Sequence, residues 1–520
     1  MVTTLPNDRN ESWKIAGQSR LRDHEFLGMT RSLCPDCLEV VQAKIISRQG
    51  RVYFQKLCPD HGQREDFVCS DVNWFDRLEF NVPGREPLKY GVEPRYGCPY
   101  DCGLCTEHEQ HTCIAVLEIT DSCNLTCPMC YASSAPGRNH LSTEECQRAI
   151  DRLVDLEGQA EILQLSGGEP TVHPDFEAIF QYAYGCPIDL LMVNTNGIRI
   201  ATDRRLCEFL AARSDRGHVY LQLDGLTDPI NAVLRGRSLL ETKLRAVERL
   251  GEYGINTTLV TTLQTDINVD QIGPIVDFGR QRSWITGVSF QPATYVGRCF
   301  QPDALSRRVT FPDVIKAVIQ HASETFAESD FFPVPCAHPN SHALCYAYRT
   351  SAKELIPITR FVDIAKNYDL LANGISLTRQ QASKMIEAYL RRNACGPGCD
   401  CVGEDGLYGS AGQRVAGGVG IGHLPTISAN RQDDTKDFAD HVQSFFEEAI
   451  TQNLPASNMF RITTTSFMDA YNFDLRQLMK SCVHHLLPSG HLVPFDAYNS
   501  LYRNGHLPLP PLSPKTGRAT

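Results

Sequence analysis

The chain has 520 residues, with 61 acidic against 50 basic side chains and a formal charge of −11, a balance that argues against a nucleic-acid surface. Its 42% apolar content is enough for a large core, yet no apolar run approaches the roughly 18–20 residues that cross a bilayer. Residues 1–20 are polar and lack the apolar centre of a signal peptide. The expectation is a cytoplasmic protein with at most peripheral membrane contact. Most of the 21 cysteines fall in short clusters, which in a reducing compartment read as metal ligands and not disulfides. Oxygen sensitivity follows from that reading.

Taken in chain order, residues 1–30 form an arm with little periodicity. Residues 31–92 read as a module for one mononuclear metal. It carries Cys34-Pro35-Asp36-Cys37 and, beyond a hairpin pattern, Cys58-Pro59-Asp60-His61-Gly62. Two nearly identical knuckles of this kind suit one tetrahedral zinc or a rubredoxin-like iron. Cys34, Cys37 and Cys58 are three ligands, and the fourth is His61 or Cys69. Residues 93–113 hold Cys98, Cys102 and Cys105 in C-x3-C-x2-C spacing. This loop reads as an auxiliary iron–sulfur site whose fourth ligand comes from elsewhere, Cys113 being nearest and His108 or His111 further candidates; a separate zinc site is the alternative.

Residues 114–300 alternate strand and helix. Apolar runs at 114–120, 162–166, 189–195, 218–224, 255–262 and 286–292 predict buried strands. The amphipathic stretch 143–156 predicts a helix capped by Ser142 and Glu145. Six βα units imply a parallel sheet curved into a partial (β/α)6 TIM-type barrel, with ligands at the carboxyl ends of its strands. The first strand leads straight into Cys123-x3-Cys127-x2-Cys130. Three thiolates on one short loop can hold three corners of a four-iron cluster and leave the fourth iron open, as catalytic metals do. A zinc knuckle or redox pair is the simpler reading of that loop. Ser166-Gly167-Gly168-Glu169-Pro170 ends the second strand; its glycines permit close backbone approach and its carboxylate can accept from an ammonium group. Asn194, Thr195, Asn196 and Gly197 end the third strand, and Gln222 and Asp224 the fourth.

Residues 301–503 read as an α+β extension with further cysteine islands, Cys336 and Cys345, then Cys395, Cys399 and Cys401, then Cys482. Such islands can converge on another four-iron cluster. Residues 504–520, rich in proline, read as a tail.

The Cys123 loop followed by Gly-Gly-Glu-Pro resembles the radical S-adenosylmethionine (SAM) superfamily. That resemblance implies that Cys123, Cys127 and Cys130 carry the SAM-cleaving [4Fe–4S] cluster. It also implies that Gly167, Gly168, Glu169 and Pro170 anchor SAM, with Asn194, Asn196, Gln222 and Asp224 lining its ribose and carboxylate. The open iron would bind SAM's amino and carboxylate groups, and reduction of the sulfonium would release a 5′-deoxyadenosyl radical. The blocks at 30–37, 57–62, 97–105, 333–340 and 466–495 resemble more narrowly the branch of tetraether lipid synthases and 7,8-dihydro-6-hydroxymethylpterin dimethyltransferases. This implies C–C bond formation at an unactivated carbon. The expected substrate is a lipid chain, with C-methylation of a pterin precursor as the alternative and a non-catalytic iron–sulfur electron carrier as the reading from another class. It further implies one or more auxiliary [4Fe–4S] clusters and an electron donor, either a reductase or a ferredoxin. One departure stands out: Asp496 occupies a position where the branch leads one to expect cysteine, and carboxylate is a poorer partner for cluster iron than thiolate.

Overall fold

The computed structural model describes residues 23–371, 379–394 and 436–513; Cys395, Cys399 and Cys401 lie outside them. Four antiparallel strands open the fold: β1 (Glu25–Leu33), β2 (Val40–Arg48), β3 (Arg51–Cys58) and β4 (Gly62–Cys69), paired in sequence order. Alternating side chains on β2 and β3 are buried, the period expected of a sheet covered on one face. Because neighbours run antiparallel, the β1–β2 and β3–β4 turns emerge at the same end. That brings the two cysteine knuckles together.

The predicted strands of the alternating region are all present: β5 (Ile114–Thr120), β6 (Ala160–Gly167), β7 (Ile188–Thr195), β8 (Gly217–Gln222), β9 (Thr257–Leu263) and β10 (Ile285–Pro292). They pair in parallel, each with the next. Near-continuous burial along β5, β6 and β9 is what a parallel sheet covered on both faces requires. The first crossover helix, Thr143–Glu157, starts at the expected capping box: Ser142 Oγ accepts from the Glu145 amide at 3.2 Å while Glu145 Oε2 accepts from the Ser142 amide at 2.7 Å. Leu153, Leu163, Phe180, Leu191, Leu221, Leu259 and Phe290 belong to one continuous, fully buried core.

The C-terminal extension joins this sheet at both edges, which the sequence pattern did not predict. On one side lie β11 (Phe332–Pro333), β12 (His342–Arg349), β13 (Leu355–Pro357) and β14 (Met459–Thr465); on the other, β15 (Val483–Leu486) and β16 (Leu492–Pro494). Strand β14 runs parallel to β10, and β15 runs parallel to β5. The order β11-β12-β14-β10-β9-β8-β7-β6-β5-β15-β16 results, with β13 attached to β12. These flanking strands are short or depend on partners more than 100 residues away, so local periodicity does not reveal them. No helix among the described residues is long and apolar enough to cross a membrane.

Candidate active site and metal centres

The loop after β5 carries Cys123, Cys127 and Cys130, and its curvature is held by backbone carbonyls and amides. Cys130 and Arg298 exchange amide-to-carbonyl bonds of 2.8 and 3.0 Å, and the Arg298 guanidinium donates to the carbonyls of Cys127 (2.9 Å), Ser133 (2.9 Å) and Ser134 (2.6 Å). One arginine thus fixes the curvature of the whole loop. The three cysteines line one cavity together with Ser166, Gly167, Gly168, Asn194, Asn196 and Gln222. All of these sit at carboxyl ends of parallel strands or just beyond, where ligands of such sheets bind. Burial pushes the Cys123 thiol up to about 12 and raises that of Cys127, with the Arg235 charge opposing the rise at Cys127. Metal binding there releases protons.

Three expected SAM contacts, Glu169, Pro170 and Asp224, are placed differently. Glu169 is buried with both carboxylate oxygens occupied: Oε1 accepts from the Thr171 hydroxyl (2.6 Å) and the Thr195 hydroxyl (2.7 Å), and Oε2 from the Asn196 amide (2.7 Å). Neither it nor Pro170 lines the cavity. Its work is to tie the ends of β6 and β7 together. The glycines are required by the protein's own backbone: a Cβ on Gly167, where φ is +131°, would lie 2.2 Å from the Thr120 carbonyl oxygen, and one on Gly168 2.3 Å from that of Ser122. Asp224 is also withdrawn from the cavity. It forms a fully buried, two-pronged pair with Arg235, both contacts 2.7 Å.

Arg235 is the residue that sequence reading missed. It lines the cavity, donates to the Met129 carbonyl at 3.2 Å and hydrogen-bonds the Cys127 thiol. Lys243, equally buried, donates to the Asn196 carbonyl (2.8 Å) and the Gln222 carbonyl (2.9 Å), pinning two strand ends. Both lie on amphipathic helices, where a single basic residue looks like any solvated one. Only an aspartate at the end of β8, eleven residues before Arg235, hinted at a partner. Tyr131, Phe467 and Phe495 complete the cavity wall, with the Phe467 and Phe495 rings 4.3 Å apart.

In the N-terminal sheet, the ligand atoms of Cys34, Cys37, Cys58 and His61 all lie within 4.8 Å of one another. Cys37 and Cys58 Sγ are 3.8 Å apart, and His61 Nδ1 is 3.5 Å from Cys58 Sγ. Of the two candidates for fourth ligand, His61 is at the site. Cys69 is buried in the core with its thiol on the Asp71 carbonyl at 3.4 Å. Cys98, Cys102 and Cys105 remain neighbours: Cys98 and Cys105 both raise the Cys102 thiol, and Cys98 contributes to the rise at Cys105; the Cys102 amide donates to Tyr502 Oη at 3.1 Å. Cys113 is not their companion: its thiol groups with Cys336 and Cys482. Cys345, expected beside Cys336, packs in the main core instead with its thiol on the Tyr346 carbonyl at 3.8 Å. Asp496 is buried, accepts from the Met468 amide at 2.9 Å, and is raised to about 7 by that burial.

The model of the radical SAM superfamily matches residues 117–279, and that of the HMPTM N-terminal zinc ribbon domain matches residues 26–70. A 7,8-dihydro-6-hydroxymethylpterin dimethyltransferase of Methanocaldococcus jannaschii is 29% identical over 506 residues, 91% of this chain and 94% of that protein. The mycofactocin maturase of Mycolicibacterium smegmatis is 35% identical over 156 residues, 30% of this chain and 38% of its own length, so that likeness is confined to one domain. Streptococcus suis SuiB bound to S-adenosylmethionine shares 18% identity at a TM-score of 0.34, over 41% of this chain and 48% of SuiB, too little to bear on the reading. The residues that fit a four-iron cluster and SAM all lie inside or next to the matched domain: three thiols lining one cavity, a glycine turn and a rim of amides. The chain carries a radical SAM domain and is an enzyme of that kind, with a [4Fe–4S] cluster and SAM as its cofactors and a zinc ribbon at its N-terminal side.

Proposed function

We propose that the enzyme uses SAM-derived radical chemistry to form a C–C bond on a small planar heterocycle of the pterin class, as a C-methyltransferase. The observation that carries this reading is the cavity wall. Rings of Tyr131, Phe467 and Phe495 line one cavity with the amides of Asn194, Gln222 and Gln291. Stacking surface combined with paired donors and acceptors suits a flat, nitrogen-rich ring. A lipid chain gains little from such amides, so the lipid coupling expected from the sequence is the weaker reading. The likeness to the pterin dimethyltransferase along nearly its whole length supports the same choice.

When bound, the cluster and SAM supply a radical able to abstract hydrogen from an inert C–H bond. The protein's own residues hold the geometry. Arg298 sets the loop and Arg235 steadies Cys127 through its guanidinium. The Gly167–Gly168 turn lies against the loop's backbone, with the Glu169 amide donating to the Ser122 carbonyl at 3.0 Å. Phe495, which forms part of the wall, is stacked on His485 with centroids 4.9 Å apart. Electrons come from a reductase or ferredoxin. The test is anaerobic reconstitution with SAM, a strong reductant and either 7,8-dihydro-6-hydroxymethylpterin or a glycerol-ether lipid. Gain of a methyl group by the pterin from a second SAM, with 5′-deoxyadenosine and methionine released from the first and S-adenosylhomocysteine from the second, supports the proposal. Turnover of the lipid alone overturns the substrate, and absence of 5′-deoxyadenosine with an intact cluster overturns the chemistry.

A further inference from the structure

We propose that Cys113, Cys336 and Cys482 hold a single zinc-class ion, distinct from both the radical SAM cluster and the zinc ribbon. The three thiols come from points hundreds of residues apart, yet their sulfurs lie within 4.8 Å of one another and all three residues are fully buried. Cys113 and Cys482 stand directly before the parallel strands β5 and β15, and the amides of Cys113 and Ile114 both donate to the Cys482 carbonyl at 3.0 Å. Cys113 leads into β5 and the SAM-cleaving loop leaves it. The seven residues of that strand, roughly 23 Å at ~3.3 Å per residue, separate the points where the two sites attach to the chain.

Spacing decides between one ion and a cluster. A tetrahedral ion with metal–sulfur bonds of ~2.3 Å sets its sulfurs ~3.8 Å apart, whereas a four-iron cluster carries each thiolate on a different iron and spreads them wider. The molecule holds its own reference for the narrow spacing, the ribbon tetrad, with Cys37 and Cys58 sulfurs 3.8 Å apart. Among the described residues, neither Cys98-Cys102-Cys105 nor Cys123-Cys127-Cys130 draws together into such a group. The third cysteine set therefore follows the ribbon and departs from the cluster loops.

His342 lies outside this group, its Nδ1 meeting Thr465 Oγ1 at 3.0 Å. The three thiolates fill three corners of a tetrahedral ion. Its role is to clamp β15 and the turn after β11 onto β5, securing both arms of the extension. Asp496 fits this as well: a carboxylate where a cluster would call for a further thiolate is no loss if no cluster is built there.

The test uses full-length protein purified anaerobically, with zinc and iron counted by elemental analysis and native mass spectrometry. Wild type should carry two zinc ions besides its clusters. Cys482→Ser and Cys336→Ser should each lose one zinc without losing iron, and Cys58→Ser the other. Loss of iron, and of iron–sulfur absorbance, from Cys482→Ser overturns the proposal, as does unchanged zinc. Should these variants fail to fold, the wild-type zinc count decides: two ions sustain the site and one removes it. Formation of 5′-deoxyadenosine reports separately on the radical SAM reading.

Discussion

Replacing Gly168 by alanine tests whether the glycine turn is what positions the cluster loop. The added Cβ would stand 2.3 Å from the Ser122 carbonyl oxygen, 2.7 Å from its carbon and 3.0 Å from Cys123 Cβ. Two of these neighbours are backbone, so no rotamer change relieves the clash. Restoring a contact of 3.4 Å requires the turn and the loop to part by about 1 Å, in a segment where Gly168 and Glu169 donate to the Thr120 and Ser122 carbonyls at 2.7 and 3.0 Å. Overpacking of this kind costs roughly 1–3 kcal/mol in stability, small for a domain of this size, so the protein should still fold. A displacement of about 1 Å at reacting groups costs on the order of 100-fold in rate. The assay is anaerobic 5′-deoxyadenosine formation with a strong reductant, run beside iron and sulfide determination. The expected result is a rate down about 100-fold with iron content kept. A rate within roughly twofold of wild type, at equal iron, would refute the view that this contact sets the loop's position.

Other outcomes follow from single contacts. Asp224→Ala leaves Arg235 as an unpaired buried charge, and should cost about 3–5 kcal/mol in denaturant unfolding as well as lowering SAM cleavage; an unchanged midpoint would show that Arg235 finds another partner. His61→Ala should strip the ribbon of its metal, His61→Cys should keep it, and Cys69→Ser should leave it untouched, all by zinc analysis. Lys56 is buried, 3.0 Å from Asp66, and donates to the Leu33, Ala470 and Tyr471 carbonyls. Burial lowers its folded-state value to about 8 from 10.5. The folded state therefore binds fewer protons than the unfolded chain between those values, and stability is gained as pH rises through that window. Lys56→Met should lose this rise, and a parallel pH profile for variant and wild type would contradict it.

The barrel was legible because each β5–β10 strand is a short buried run followed by an amphipathic helix, and both signals are local. The Cys34, Cys58, Cys98 and Cys123 motifs were legible for the same reason: each spans only a few residues. The choice between His61 and Cys69 was not, since it depends on which of two residues the β3–β4 turn returns to the knuckle. The partners of Glu169 and Asp224 were not legible, because a carboxylate at a strand end looks the same whether it faces a ligand or a neighbouring strand. Here backbone amides, threonine hydroxyls and Arg235 had already claimed them.

What the sequence by itself determined is the chemistry that depends on spacing along the chain: the open three-cysteine loop, the glycine turn after the next strand and the parallel sheet that carries both. What only the tertiary structure decided depends on distance in space. The extension closes on both edges of the sheet, Arg235 stands behind Cys127, and Cys113 leaves its neighbours in sequence for Cys336 and Cys482. The physical reason is that such contacts between remote segments are set by packing and strand register, which no local period encodes.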